Sequence, residues 1–467
     1  MKVLLTNTYY QKRVEHASLI SVVPPLDIAY CASLVRSRVS SAEVSLLDAN
    51  ALKLGYEQHV SKIKDIGPGI LVFTAATHSI NSIKHLIPRL KMPICKTILI
   101  GSHGTAFPKE VLSEIKELDI VVCGEPEFSV LEIVESLMEQ KPLSLVNGIC
   151  YRDVDKIVCN QPRHLIADLD SLPFPARDLL PNRLYFSPYE YPVTSIQTTR
   201  GCPGKCSFCD SHLLSGSLLR MRSPDMVVNE IEESYNKFKI KYFAIIDHTF
   251  TANRIFVANV CKEIINRKLN SHIKWACNTR VDMLDDDILL LMKHAGCLQI
   301  GVGIESGYNK GLESVKKGIT ENQIKEAIAR IKRHGIFVVG YAIIGFPGDT
   351  KESVDSTKQK IFDYNPHGLQ LSFAAPLPGS QLYDYCKKSD LIMTDNWDDF
   401  VFLRKSIIRN NSLSSEIISK IRDHIIRSFY FRPGKIVELL FFIIFRSGIN
   451  RKSAIKGACK ILFNFGR

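Results

Sequence analysis

"TTRGCPGKCSFCDS", residues 198–211, sets Cys202, Cys206 and Cys209 at a C-x3-C-x2-C spacing inside one short loop. Three thiols this close hold a metal, but a closed tetrahedral site needs four ligands. Two completions are open. His212, three residues past Cys209, could close a Cys3His zinc site and make the loop a structural staple. A [4Fe–4S] cluster held by three thiolates would instead leave one iron for a small bidentate ligand, such as the amino-acid end of a metabolite. The cysteine pattern has no C-x2-C partner elsewhere, as a paired zinc knuckle would.

The loop follows an apolar, β-rich run, "TSIQTTR", and five more such runs come after it: "YFAIIDH", "KWACNTR", "LQIGVGIES", "FVVGYAIIG" and "GLQLSFAAP". Helical patterns separate them. One starts at Ser223 as N-cap with Pro224 in the first turn and buries Val227, Ile231, Tyr235 and Phe238 at helical spacing. Six successive βα units predict a partial (β/α)6 TIM-type barrel over residues 191–390, with function at the C-terminal strand ends. The cysteine loop lies on that face.

Upstream, residues 1–140 alternate short apolar runs ("KVLLTNT", "EVSLLDA", "GILVFTAA", "KTILIGS", "IVVCGEP") with amphipathic stretches. Fully apolar strands between helices predict an α/β domain, a doubly wound parallel sheet covered on both faces. Its strand ends, "NTYY", "DAN", "TAATHS", "GSHG" and "GEPE", supply the small residues a ligand site needs. Residues 141–190 break the rhythm: "GICYRDVDKIVCN" reads as a hairpin around Asp153 and Asp155, and "DLDSLPFPARDLLP" as a Pro-punctuated connector.

The chain has 467 residues, 45% of them apolar and 23% charged, which is a folded multidomain composition. The start, "MKVLLTNTYYQKR", has too short an apolar run for a signal peptide. Thirteen cysteines scattered without a secretion signal point to a reducing cytosol. Of the net charge of +12, +11 falls in residues 401–467, which hold 14 Lys or Arg against 3 Asp or Glu. The basic helical region 391–467 is therefore a separate property. "KIVELLFFIIF" is too short to span a bilayer. With Arg446, Arg451, Lys452, Lys456 and Lys460 beside it, the segment suits peripheral contact with the inner face of an anionic membrane, or equally a helical cap with a solvated basic face. The neutral body and the lack of a stacking-aromatic module argue against nucleic acid.

The cysteine spacing, with Phe208 just before the third cysteine and a first barrel strand ahead, closely resembles the radical SAM superfamily. That resemblance implies Cys202, Cys206 and Cys209 as ligands of a [4Fe–4S] cluster. It also implies S-adenosylmethionine on the open iron, and a 5'-deoxyadenosyl radical that takes hydrogen from an unactivated carbon. Phe208 would lie near the adenine. Glu305 and Ser306 of "GVGIESG" would meet the amino-acid or ribose part, and Arg280 the carboxylate. Gly340 and Gly345 of "GYAIIGFPGDT" would give close backbone approach, and Asp247 and Thr249 would face the cavity. Relatives carry a second acid where this chain has His248.

The N-terminal domain with "PPLDIAYCASLVR", "GEPE" and "SLPFPARDLLP" resembles the cobalamin-binding branch of that superfamily, which implies a corrinoid between the sheet edge and the barrel mouth. The D-x-H-x-x-G motif for an axial His is absent, and His103 in "GSHGTAF" lacks its spacing. "NPHGLQLSFAAPLPGSQLYDY" and "FYFRPGKIVELL" are similar to the branch of hopanoid biosynthesis (cyclitol ether formation) and anaerobic magnesium-protoporphyrin ester cyclisation. The resemblance implies a hydrophobic, lipid-like or polycyclic substrate, hopanoid-type rearrangement or ring formation, and a reductant protein such as a flavodoxin or ferredoxin. Methyl transfer through cobalamin is the alternative chemistry, and a zinc-stapled membrane-associated protein the non-enzymatic one.

Overall fold

The structure is a computed structural model that describes residues 1–9, 22–92, 95–186 and 192–445. The five basic residues singled out between Arg446 and Lys460 lie outside the described residues.

Strands β1 (Lys2–Thr6), β2 (Glu43–Leu47), β3 (Ile70–Thr74), β4 (Lys96–Ile100) and β5 (Ile120–Val122) form a parallel sheet. The antiparallel hairpin β6 (Ile149–Asp153) and β7 (Lys156–Cys159) extends it, in the order β2-β1-β3-β4-β5-β6-β7. Two apolar cores, one on each face, confirm a doubly wound sheet: Val3, Leu5, Val72 and Ile98 face one layer of helices, and Leu4, Leu71, Phe73 and Leu99 the other. The strand order reverses between β1 and β3, the switch point where such sheets open a crevice. The scatter of cysteines singles out no disulfide, yet Cys150 and Cys159 are bonded. The hairpin register sets them directly opposite, with Cα atoms 4.0 Å apart.

The second sheet is parallel throughout: β8 (Val193–Ile196), β11 (Tyr242–Ile245), β12 (Lys274–Thr279), β13 (Cys297–Glu305), β14 (Phe337–Ile344) and β15 (Gly368–Phe373), in sequential order. The short pair β9 (Thr199–Arg200) and β10 (Arg220–Met221) closes the cysteine loop at its base. This is the expected six-stranded partial barrel. Helix Pro224–Phe238 starts as anticipated, with the Ser223 side chain accepting from the Met226 N–H. Cys277, Ile300, Val302, Ile304, Val338, Ala342 and Ile344 all enter the core under the outer helices. Alternation then turns Asn278, Gly301, Gly303, Tyr341 and Ile343 toward the barrel lumen.

A partial barrel leaves an open edge on β15. Helix Ser415–Tyr430 runs along it, and its side chains take over the missing ladder. The Tyr430 hydroxyl accepts from the Leu369 N–H and donates to the Leu369 carbonyl, while Arg422 Nε donates to the Leu371 carbonyl. The Phe373 N–H reaches the Phe402 carbonyl at 2.7 Å. An edge so capped cannot pair with another chain.

The two sheets are welded by buried charge. Glu125 forms a two-pronged pair with Arg220, at 2.9 Å for each bond, and Glu127 meets Arg200 at 2.5 Å. "GEPE" thus clamps the β5 end to the base of the cysteine loop. A second set holds Glu230 between Arg177 and Arg222. Ala29 and Ala51 of the N-terminal domain and Tyr185 of the connector pack with Val193, Tyr242, Ala276 and Leu298, so together they plug the lower lumen of the barrel.

Candidate active site: a three-cysteine loop at the barrel mouth

The loop that carries Cys202, Cys206 and Cys209 is pinned from three sides. The Cys202 N–H reaches the Gly216 carbonyl, Ser207 N–H the Val315 carbonyl, and Leu382 N–H the Ser207 carbonyl. Gly201 enters the loop at φ +85°, where a Cβ would collide with the Leu218 carbonyl, so the turn requires glycine. Gly204 keeps the space between the thiols open: a Cβ there would stand 3.4 Å from Cys202 Sγ, 3.9 Å from Cys206 Sγ and 3.6 Å from Arg280 Nη1. Burial raises the Cys206 thiol pKa, and Lys317 opposes the rise.

His212 does not complete a ligand set. Its Nε2 donates to the Cys202 backbone carbonyl at 2.9 Å, which fixes the ring on the loop backbone. Among the described residues, no group of three or more His, Cys, Asp or Glu side chains, the three thiols included, closes around a single metal ion. Three free, half-buried thiols around a glycine-kept gap, beside the cations of Arg280 and Lys317, fit a thiolate-bound anionic cluster.

The structure gathers most of the predicted positions around this loop. Thr249 is buried with its Oγ1 3.6 Å from Cys202 Sγ. Phe208 packs against Phe346, ring centroids 6.2 Å apart, next to Gly345 in the turn after β14. The Gly345 N–H (φ +86°) donates to the buried Asp349 carboxylate at 2.7 Å. Glu305 ends β13 in the left-handed region at φ +56° and meets Lys317 Nζ at 2.6 Å. Ser306 is buried against the helix Asn309–Ser314. Arg280 is held by Asp282 in a fork of two 3.0 Å bonds and donates to the Lys317 carbonyl at 2.8 Å.

Two predicted residues are placed differently. Asp247 was expected to face the cavity, but its carboxylate accepts from the Thr198 N–H, the Thr198 hydroxyl and the Thr199 hydroxyl at 2.7, 2.5 and 2.9 Å. With its acceptors engaged by the strand that leads into the cysteine loop, it is a positioning residue. Burial raises its pKa. Gly340 lies on the helix side of β14, where a Cβ would meet Ile304 Cδ1 at 2.5 Å, so its smallness serves packing and not cofactor approach.

Sequence reasoning missed Lys317. Burial alone would pull its ammonium pKa down, but Glu305 and then Cys206 more than offset it, and the net shift is upward. Its sequence setting, "SVKKGIT", looks like solvated charge. Only the two-residue step from Val315, which is bonded to the cysteine loop, brings it inside.

In the N-terminal domain, Gly101 leaves β4 at φ +112°, pressed against the Ala75 carbonyl so closely that a Cβ would collide. The glycine thus serves the close packing of the loop after β4 on the end of β3. His103 is 2% exposed, between Thr77, Phe107 and Trp397, and burial lowers its pKa to about 4. A corrinoid bound at these strand ends would have no His103 nitrogen on cobalt.

Comparison with known proteins agrees with this arrangement. Residues 196–361 match the radical SAM superfamily and residues 14–134 the B12 binding domain. An uncharacterized methyltransferase of Pyrococcus horikoshii is 31% identical, with 94% of each chain covered. The anaerobic magnesium-protoporphyrin IX monomethyl ester cyclase of Cereibacter sphaeroides is 28% identical over 77% of this chain and 60% of its own length. The cobalamin-dependent radical enzyme OxsB has the same fold, with a TM-score of 0.74 at 16% identity, 97% of this chain and 74% of that one being covered. The cofactors of such proteins are a [4Fe–4S] cluster, S-adenosylmethionine and cobalamin. The chain belongs to the radical SAM superfamily, in the branch that carries an N-terminal B12-binding domain.

Proposed function

We propose that this enzyme modifies an unactivated carbon of a lipid-like or polycyclic substrate, by ring formation or rearrangement of the hopanoid type. The observation that carries the reading is the lumen between the N-terminal plug and the cysteine loop. Its inward positions, Ala244, Ile246, Asn278, Val339, Tyr341 and Ile343, bear no charge, which suits an uncharged substrate body.

Cys202, Cys206 and Cys209 would hold the cluster. Bound there, the cluster and S-adenosylmethionine supply one-electron chemistry and a hydrogen-abstracting radical. Arg280 and Lys317 place two cations beside the thiolates, and Glu305 and Ser306 line the end of β13 where the amino-acid part would lie. Phe208 and Phe346 wall the mouth and exclude water. Thr249 and Asp247 fix the loop to β9 and β11. An external reductant such as a flavodoxin or ferredoxin would deliver the electron.

Methyl transfer through cobalamin is the second reading, because the full-length relative from Pyrococcus horikoshii bears the name of a methyltransferase. Anaerobic reconstitution tests the common core: S-adenosylmethionine cleavage under reductant is expected, and its absence would sink both readings. Lipids from a deletion strain then separate them. A missing ring or head group supports the first, and a missing methyl group the second.

Peripheral contact of a cytoplasmic enzyme with the membrane rests on helix Pro433–Phe445, where Val437 is 66% exposed and Leu440 50%. Among the described residues, no helix is long and apolar enough to cross a membrane. The helix docks through Lys435 to the Pro366 carbonyl and through Phe442 to Phe337, at the N-terminal ends of β14 and β15. Such contact would therefore sit at the end of the barrel opposite the cysteine loop, and would anchor the enzyme without feeding substrate into the mouth. A V437E/L440E variant that still pellets with anionic liposomes as the parent does would rule this surface out.

A further inference from the structure

Between the plugged floor of the barrel and the cysteine loop, one polar pair is built into the lumen. The Tyr341 hydroxyl donates to Asn278 Oδ1 at 3.1 Å, from β14 to β12 across the intervening strand β13. The reach is possible because β13 carries Gly301 between them. A Cβ there would collide with Asn278 Oδ1 and lie 2.6 Å from both the Tyr341 hydroxyl oxygen and its ring. One pleat nearer the cysteines, Gly303 makes the same kind of room for the Glu305–Lys317 pair, with a Cβ 2.5 Å from Lys317 Nζ. The "GVG" of β13 thus supports two polar layers. The upper one is ionic and faces the cluster loop. The lower one is neutral and stands between that loop and the Ala276 layer that the N-terminal domain and the connector plug.

The neutral layer is open. Asn278 is exposed although its strand is central, because it faces the lumen. Its Oδ1 is taken by Tyr341, which leaves the amide N–H groups as donors and the phenolic oxygen as an acceptor. Burial pushes the Tyr341 pKa up to about 12, so the phenol is neutral. Gln370, paired in register with Tyr341, adds a second neutral amide. Of the charges toward the cysteine loop, Glu305 and Lys317 are spent on each other and Arg280 on Asp282.

We infer that Asn278 and Tyr341 form a substrate subsite that takes a neutral group with both a donor and an acceptor, a hydroxyl or a carboxamide. This deepens the proposed function and rests on it: an uncharged substrate body would be registered by one such group, which fixes which carbon faces the cysteine loop. A carboxylate or an ammonium would be desolvated there with no free counter-charge to answer it. The pair therefore selects against charged analogues as well as for the neutral one.

The test uses the anaerobically reconstituted full-length enzyme with dithionite as reductant. A detergent extract of cells that produce the protein is separated by ion exchange into neutral, anionic and cationic fractions. The readout is 5'-deoxyadenosine released with each fraction, divided by the same protein's release without it. The neutral fraction is expected to raise the ratio several-fold, and Asn278→Ala, Tyr341→Phe and Gly301→Ala each to bring it to about one. Iron content and melting temperature show that each variant is folded and loaded. Stimulation by a charged fraction only, by no fraction, or undiminished in a loaded Tyr341→Phe and Asn278→Ala would overturn the subsite. Failure of the wild type to release any 5'-deoxyadenosine is a different result and counts against the proposed chemistry itself.

Discussion

Lys317 Nζ stands 2.6 Å from Glu305 Oε1, each side chain only 8% exposed, and the pair sits beside the thiol of Cys206. Two charges that deep are tolerated because each answers the other. Removing one leaves the other buried and unpaired, which costs about 3–5 kcal/mol. Lys317→Met is expected to destabilise the apoprotein by about that much, and Glu305→Gln/Lys317→Met by clearly less. Urea unfolding of the three proteins checks this, and equal losses in the single and double variants would show that the pair does not couple.

The thiols and His212 give opposite expectations. Cys202→Ala, Cys206→Ala and Cys209→Ala should each abolish retention of the roughly four irons and four sulfides of a reconstituted [4Fe–4S] cluster. His212→Ala removes only a bond to the Cys202 carbonyl and should keep most of the cluster. Iron and sulfide analysis after desalting checks both. Loss of iron in His212→Ala equal to that in the cysteine variants would make the histidine a ligand after all.

Acid should loosen the N-terminal domain first. His59 bonds to Thr6 and His103 lies against Trp397, and burial lowers both pKa values to about 4 from 6.5. The unfolded chain therefore binds these protons more readily than the folded one. The stability is fully present above about pH 6.5 and is lost as pH falls toward 4, on the order of 1–2 kcal/mol per histidine between pH 7 and 5. Thermal melts at both pH values should show the drop, and a His59→Gln/His103→Gln variant should show a smaller one.

Much of this was legible from strand pattern and cysteine spacing, because both are local. The six apolar runs from Thr194 to Ala375 mark the barrel, and Cys202, Cys206 and Cys209 mark its mouth. What stayed hidden depends on contacts far apart in sequence. Asp247 reads as a cavity acid until Thr198 and Thr199 arrive from another strand to bind it. Gly340 and Gly301 look alike in sequence. Strand alternation alone sends one to the helices and the other into the lumen. The exposed look of "KIVELLFFIIF" conceals a buried Lys435, whose pKa burial lowers to about 8.

The capped edge of β15 gives the last expectation. Tyr430 is fully enclosed against the barrel, and its hydroxyl serves both the N–H and the carbonyl of Leu369. Tyr430→Phe keeps the ring but leaves two buried backbone groups without a partner, a loss of about 1–3 kcal/mol. The larger consequence is topological. An uncapped strand at the open end of a partial barrel offers a pairing template, so the variant should aggregate on mild heating before the parent does. Light scattering alongside circular dichroism distinguishes this from simple destabilisation. If Tyr430→Phe melts earlier without scattering more, the hydroxyl stabilises the helix contact but does not guard the edge.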